Sequence, residues 1–200
     1  MSTLLHEKII TEKSGIGGKA RNLLKLGSLG IMVPNWVVIP QEVLLDQIPP
    51  DDQTGEIETL LQEVHVPTGL LLELAQYFGD DHIRKTYAIR SSAIDEDGRQ
   101  HSFAGLYESY LHVAFSDIEA NIKAVWSSVN SKRVRKYREE NNLPLNLGIG
   151  VIIQEMISSD VAGVAFGMNP VTGDLKSKAI SAVYGLGEGL VSGEFDADTF

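Results

Sequence analysis

Apolar positions at Ala20, Leu23, Leu24 and Leu26 recur at helical spacing and predict a helix over Lys19–Leu29 that stops at Gly30. The next stretch, Ile31 to Ile39, is apolar and β-branched around Pro34, which fits an edge or irregular strand ending at Pro40. Residues 47–54 carry Pro49, Pro50, Asp51 and Asp52 and read as a loop. Helical spacing returns over Ile57–Val64 and Thr68–Phe78, and Gly79 closes the second. Thr86–Arg90 and Ser109–Val113 read as short strands. Asp117–Val129 and Lys132–Glu140 read as helices with a break near Asn130. The last third changes texture: Gly150–Met156, Val161–Met168 and Ala179–Tyr184 are β-rich, and Asn169–Asp174 has hairpin-turn chemistry. Helices and strands mix without strict alternation. The expected class is therefore α+β with mixed or antiparallel sheets, not a doubly wound parallel sheet. A change of subdomain is expected near 105–115, giving approximate subdomains 1–105 and 106–190. Residues 191–200 then begin a continuation that stops inside a domain.

Composition narrows the function classes. The 200 residues are 43% hydrophobic and 22% charged, enough for one sizeable core or two small ones. With 27 acidic against 17 basic residues the net charge is −10, a poor match for non-specific binding to nucleic acid or anionic membrane. There is no cysteine, which excludes disulfides, cysteine metal sites and thiol nucleophiles. Met1–Lys8 lacks the apolar stretch and cleavage site of a signal peptide, and no apolar run reaches membrane-spanning length. A soluble cytoplasmic protein is expected.

Several tracts carry candidate chemistry. In Gly15-Ile16-Gly17-Gly18-Lys19, glycines ahead of a helix let backbone N–H groups approach an anion, and Lys19 adds a point charge. A flexible turn capped by a solvated lysine explains the same residues. The Walker pattern is not met, because Ala20 stands where its hydroxyl would be. Arg90, Ser91 and Ser92 leave an apolar run for a polar loop, and a guanidinium fork beside small hydroxyls suits phosphate oxygens. The alternative for Arg90 is an ion pair with Asp95, Glu96 or Asp97. The tract Asp95–Gly98 lacks calcium-loop spacing and reads as a solvated turn. Phe103-Ala104-Gly105 is either a strand entry or a close backbone approach to a nucleotide. Gln154, Glu155 and Met156 end an apolar strand. They either offer backbone groups and a thioether to a purine or simply alternate between faces. Gly185–Gly189 misses dinucleotide spacing, and Glu188 in its middle suggests a cation or phosphate nearby. Lys132–Arg138 holds five of the 17 basic residues. Glu139 and Glu140 follow it, and a solvated helix face is expected there. The histidines His6, His65, His82, His101 and His112 show no metal-ligand spacing.

Taken in order, Gly-Gly-Lys-Ala at 17–20, Val-Pro at 33–34, Arg-Ser-Ser-Ala at 90–93, Phe-Ala-Gly at 103–105, Gln-Glu-Met at 154–156, Asn-Pro-Val-Thr-Gly at 169–173 and Gly-Leu-Gly-Glu at 185–188 resemble one family. It is the N-terminal nucleotide-binding domain of phosphoenolpyruvate synthase and pyruvate phosphate dikinase, shared by rifampin phosphotransferase. The resemblance runs from about Gly15 to Phe200.

That resemblance implies an ATP-grasp-like fold with ATP in a cleft between α+β lobes, and ATP and Mg2+ as cofactors. It places Lys19 and Arg90 on the phosphates, with Ser91 among the ATP-binding residues, and Gln154, Met156 and Ile157 along the adenine. Phe103, Gly105, Gly187 and Glu188 fall in loops lining the nucleotide. It implies phosphate transfer from ATP to a histidine on a swivelling domain, then to pyruvate on a further domain. The magnesium ligands and both domains are expected beyond Phe200, so the fragment alone is expected to be inactive. Two other outcomes remain open at this level: a non-catalytic nucleotide-binding module, and the ATP half of a rifampin-type antibiotic phosphotransferase.

Overall fold

A computed structural model describes residues 4–7, 10–11, 14–49, 57–95, 103, 105–192 and 198–199. The chain divides into two compact units, Met1–Met156 and Ile157–Phe200.

The first unit runs α1 (Gly17–Ser28), β1 (Trp36–Ile39), α2 (Glu42–Leu45), α3 (Ile57–Glu63), α4 (Leu70–Phe78), β2 (Thr86–Ala93), β3 (Ser109–Ala114), α5 (Ile118–Ser128), α6 (Lys132–Glu140) and β4 (Ile149–Glu155). Its four strands form one sheet in the order β1-β4-β2-β3, antiparallel throughout. The β1 segment is an edge strand, as expected, but it spans only four residues. Its outer side meets Leu5 through paired backbone hydrogen bonds to Val38.

Strand alternation sorts the core onto two faces. On one, Val37, Ile39, Ile89, Val151 and Ile153 pack with Leu70 and Leu74 of α4 and Ile118, Ile122 and Trp126 of α5. On the other, Trp36, Val38 and Ile152 pack with Ile16 and Ala20 at the start of α1. Because both faces are covered, β4 is buried over six of its seven residues and reads as a continuous apolar run. Helix α6 is capped by Ser131, whose Oγ accepts from Val134 N at 3.3 Å.

The second unit holds β5 (Val161–Phe166), β6 (Ala179–Tyr184), α7 (Glu188–Ser192) and β7 (Asp198–Thr199), with an antiparallel sheet ordered β5-β6-β7. The β5–β6 connection is the expected hairpin turn: Asn169 Oδ1 accepts from Val171 N and Thr172 N, and Gly173 N donates to Asn169 O.

The α+β class holds, with antiparallel sheets. Three details differ from expectation. Strand β2 continues through Ser91–Ala93, because β4 offers these residues partners at Val151, Gly150 and Ile149. Short helices form at Glu42–Leu45 and Glu188–Ser192. The division of the chain falls at 156/157, and not at 105/106. Strands β2 and β3, on either side of residue 105, are neighbours in one sheet and cannot part without breaking its ladder.

Candidate functional site

Helix α1 begins where the chain can afford no side chain. Gly17 has φ +69°, and a Cβ there would lie 2.1 Å from the carbonyl oxygen of Ser92. The N-cap residue, Ile16, supplies no side-chain cap. Ser92 does so from β2: its Oγ accepts from Ala20 N at 3.1 Å and donates to Ile16 O at 2.6 Å. The neighbouring hydroxyl, Ser91 Oγ, accepts from Lys19 Nζ at 3.2 Å. Both serines are fully buried. A sequence reading that takes Lys19 as a freely solvated cap is therefore set aside.

Arg90 stands two residues before Ser92, so alternation puts both on one face of β2. Cross-strand pairing adds Ile152, opposite Arg90, and Gln154, opposite Ala88. Ile152 packs with Ile16 and Ala20. One face of the sheet thus carries Arg90, Gln154 and the first turn of α1. Arg90 is half-buried, and no carboxylate among the described residues pairs with it. The first turn of α1 holds no acidic residue. Two cationic side chains and a helix N-terminus therefore concentrate positive potential in an otherwise acidic chain. This arrangement suits an anionic ligand with several oxygens, such as a polyphosphate.

The alternative partner for Arg90, Asp95, is engaged elsewhere. Its carboxylate accepts from Arg138 Nη2, from Asn146 Nδ2 at 3.1 Å and from Tyr107 Oη at 3.4 Å. Glu96 and Asp97 lie outside the described residues. Asp95 is consequently not part of a solvated turn, and Arg138, only 4% exposed, is not on a solvated face. Arg138 also donates to Pro144 O at 2.9 Å and holds its guanidinium 4.7 Å from the Phe103 ring centroid. Arg133 binds Leu106 O and Glu108 and, like Lys132, Arg135 and Lys136, is exposed, as expected of that helix.

Phe103 is 1% exposed, stacked on Tyr107 and edge-on to Tyr137, so its ring is committed to the core. Gly105 is exposed with φ +73°. Gln154 is buried. The N–H of Met156 donates to Thr86 O at 2.9 Å and that of Glu155 to Asn35 O at 2.9 Å, which leaves neither free to read a base edge. Glu155 is further fixed by Lys85 Nζ at 2.7 Å and Asn35 Nδ2 at 3.1 Å. Its proximity, with that of Asp81, raises the Lys85 pKa above the ordinary lysine value. In the second unit Ile157 is exposed. A turn closed by Gly185 N to Asp160 O leads to Gly187 and to an exposed Glu188 that opens α7.

The sequence reading missed Ser92 as a helix cap and Arg138 as a buried cation. Both had signals. Ser92 is two residues from Arg90 in a strand, and Arg138 is four residues from Val134, on the stripe that faces the core.

A family model described as "Pyruvate phosphate dikinase, AMP/ATP-binding domain" matches residues 51–200. The chain is 34% identical to the rifampicin phosphotransferase of Bacillus subtilis, over 98% of this chain and 26% of that protein. It is 33% identical to the "Prodigiosin synthesizing transferase" of Serratia marcescens, over 94% and 22%. It is 31% identical to a "Probable phosphoenolpyruvate synthase" of Pyrococcus horikoshii, over 97% and 25%. The chain spans about a quarter of the length of these curated relatives.

Proposed function

We propose a function from one premise: the chain belongs to the pyruvate phosphate dikinase AMP/ATP-binding domain family. Our reading is that it is the ATP-binding portion of a phosphoenolpyruvate-synthase-like phosphotransferase. The observation that carries this reading is that Lys19, held by Ser91 at the glycine start of α1, and Arg90, on the sheet face that α1 covers, bring two cations to one helix N-terminus. We assign these three to the ATP phosphates. Gln154 and Met156 are assigned to the adenine side, with Met156 acting through its side chain because its N–H is engaged. The loop through Phe103 and Gly105 is assigned to the nucleotide through backbone alone, since the Phe103 ring is buried. The assignments of Ile157, Gly187 and Glu188 lie in the second unit and rest on the family resemblance.

Phosphoryl transfer of this class depends on positioning and electrostatic stabilisation, with little covalent work for the protein at the phosphate itself. The part argued for this chain is to hold the phosphates against a lysine, an arginine and helix amides. The acceptor would be a histidine on a swivelling domain, and pyruvate on another domain would receive the phosphate next. We place this reaction in the cytoplasm. Magnesium is the metal this reaction class uses. Among the described residues no group of three His, Asp or Glu side chains stands close enough to hold a metal ion. Following the family resemblance, we assign the magnesium ligands outside them. Among the described residues no helix is long and apolar enough to cross a membrane. Similarity to the Bacillus subtilis rifampicin phosphotransferase favours a second reading, in which the same ATP portion serves an antibiotic acceptor.

Calorimetric titration with Mg-ATP tests the site. Lys19→Ala and Arg90→Ala should each weaken binding by roughly tenfold to a hundredfold, as expected for loss of a charge-assisted hydrogen bond. Unchanged affinity in both variants would overturn the assignment.

A further inference from the structure

We propose that Ser92 is a positioning residue for the phosphate side of the site: it holds the first turn of α1, and with it Lys19, in the geometry that the anion requires. The inference rests on the ATP reading above and goes beyond it, because Ser92 is given no ligand contact. Two consecutive hydroxyls have separate partners. Ser91 Oγ faces Lys19 Nζ, whereas Ser92 Oγ spends both its donor and an acceptor position on the backbone of the α1 start, at Ile16 O and Ala20 N. Those two backbone groups flank Gly17, Gly18 and Lys19, whose N–H groups belong to the helix first turn.

The surrounding packing leaves this clamp little freedom. A Cβ at Gly17 would meet the Ser92 carbonyl carbon at 2.4 Å and its oxygen at 2.1 Å. At Gly150, the cross-strand partner of Ser92, a Cβ would meet Ile39 O, Ile16 O and Ser92 O at 3.2, 3.3 and 3.3 Å. The chain preceding α1 therefore lies directly on β4 and β2, with glycines at the two closest approaches. Gln41 N extends the attachment by donating to Gly15 O at 2.8 Å. A helix start fixed in this way presents its amides without reorganising when an anion arrives, and that is the condition under which backbone dipoles act most strongly. Ser92 is fully buried, so its hydroxyl reaches the ligand only through what it holds.

The test uses the 200-residue chain with three variants: Ser92→Ala, Ser92→Thr and Val125→Ala. Val125 is a buried residue of α5, remote in sequence from α1 and packed in the other core cluster, so its truncation controls for lost stability alone. Thermal unfolding, amide hydrogen exchange at Ala20 and Mg-ATP titration are measured on each. The expected result is faster exchange at Ala20 and about tenfold weaker Mg-ATP binding in Ser92→Ala. Ser92→Thr, which keeps the hydroxyl, should restore affinity relative to Ser92→Ala, and Val125→Ala should lose stability without losing affinity. Tripolyphosphate competition should weaken in parallel with ATP.

Ser92→Ala binding Mg-ATP as tightly as the parent chain would overturn the proposal, as would an equal loss of affinity in Val125→Ala. The two readings fail differently. If the parent chain shows no Mg-ATP binding, the function reading falls. If it binds and Ala20 exchange in Ser92→Ala is unchanged, the clamp falls and the function reading stands.

Discussion

Arg138 of α6 is buried and points its guanidinium at Asp95, the second residue beyond the end of β2. This single pairing attaches the exit of the Arg90–Ser91–Ser92 strand to a helix residue 43 positions beyond Asp95. The same guanidinium lies over Phe103, donates to Tyr107 Oη at 3.1 Å and shares Asp95 with Asn146. The Nε of Arg138 has no acceptor among the described residues, so the pair is the main compensation for a buried charge.

Asp95→Ala should therefore destabilise the chain by about 3 kcal/mol, because it strands a cation in the core. Urea unfolding at neutral pH measures this. The mid-point should fall with an unchanged slope, and a loss under about 1 kcal/mol would mean the guanidinium finds other solvation.

Gly17→Ala tests the approach of α1 to β2. The new methyl would sit 2.1 Å from the Ser92 carbonyl oxygen in a left-handed backbone conformation. A cost of about 3 kcal/mol or more is expected from strain and displacement together. Mg-ATP binding should weaken in the same variant. Gly30→Ala, also at positive φ but with open space around it, should cost only about 1 kcal/mol and leave binding intact.

Burial pushes the Tyr87 hydroxyl up to about 12 from 10.0, with the nearby Glu155 adding to the effect. Its folded-state value is thus above its unfolded value. The neutral phenol contributes fully below the unfolded pKa, and that contribution is lost as pH rises through the folded one. Between pH 10 and 12 the parent chain should lose stability relative to Tyr87→Phe, although at pH 7 Tyr87→Phe should be the less stable, having lost the bond to His82 O. Denaturant unfolding across that range, with the two proteins compared at each pH, checks the crossing.

Ser131→Ala removes the side-chain cap of α6 and should cost about 1 kcal/mol. Since α6 carries Arg138, circular dichroism should show α6 fraying, and Ser131→Asp should restore most of the loss through its own cap and the helix dipole.

The sequence by itself determined the long helices, most of the strands and the α+β class, because spacing, caps and turn residues act over a few positions. Lys19, Arg90 and Ser91 were legible as candidate anion ligands, beside a solvated cap for Lys19 and an ion pair for Arg90, and the order of motifs along the chain carried the assignment. The end of β2 was not: Ser91–Ala93 look like loop residues until β4 supplies Val151, Gly150 and Ile149 as partners. The second role of Ser92 was hidden for the same reason, since Ile16 and Ala20 stand more than seventy residues away. Arg138 and Asp95 were each read as solvated, and only the packing of α6 against Phe103 and Tyr107 made them a buried pair. The division at 156/157 likewise follows from which strands hydrogen-bond, not from any change in composition. Local chemistry is written in consecutive residues. Partners for a buried hydroxyl or charge are chosen only when distant segments close over it and remove the water that would otherwise serve.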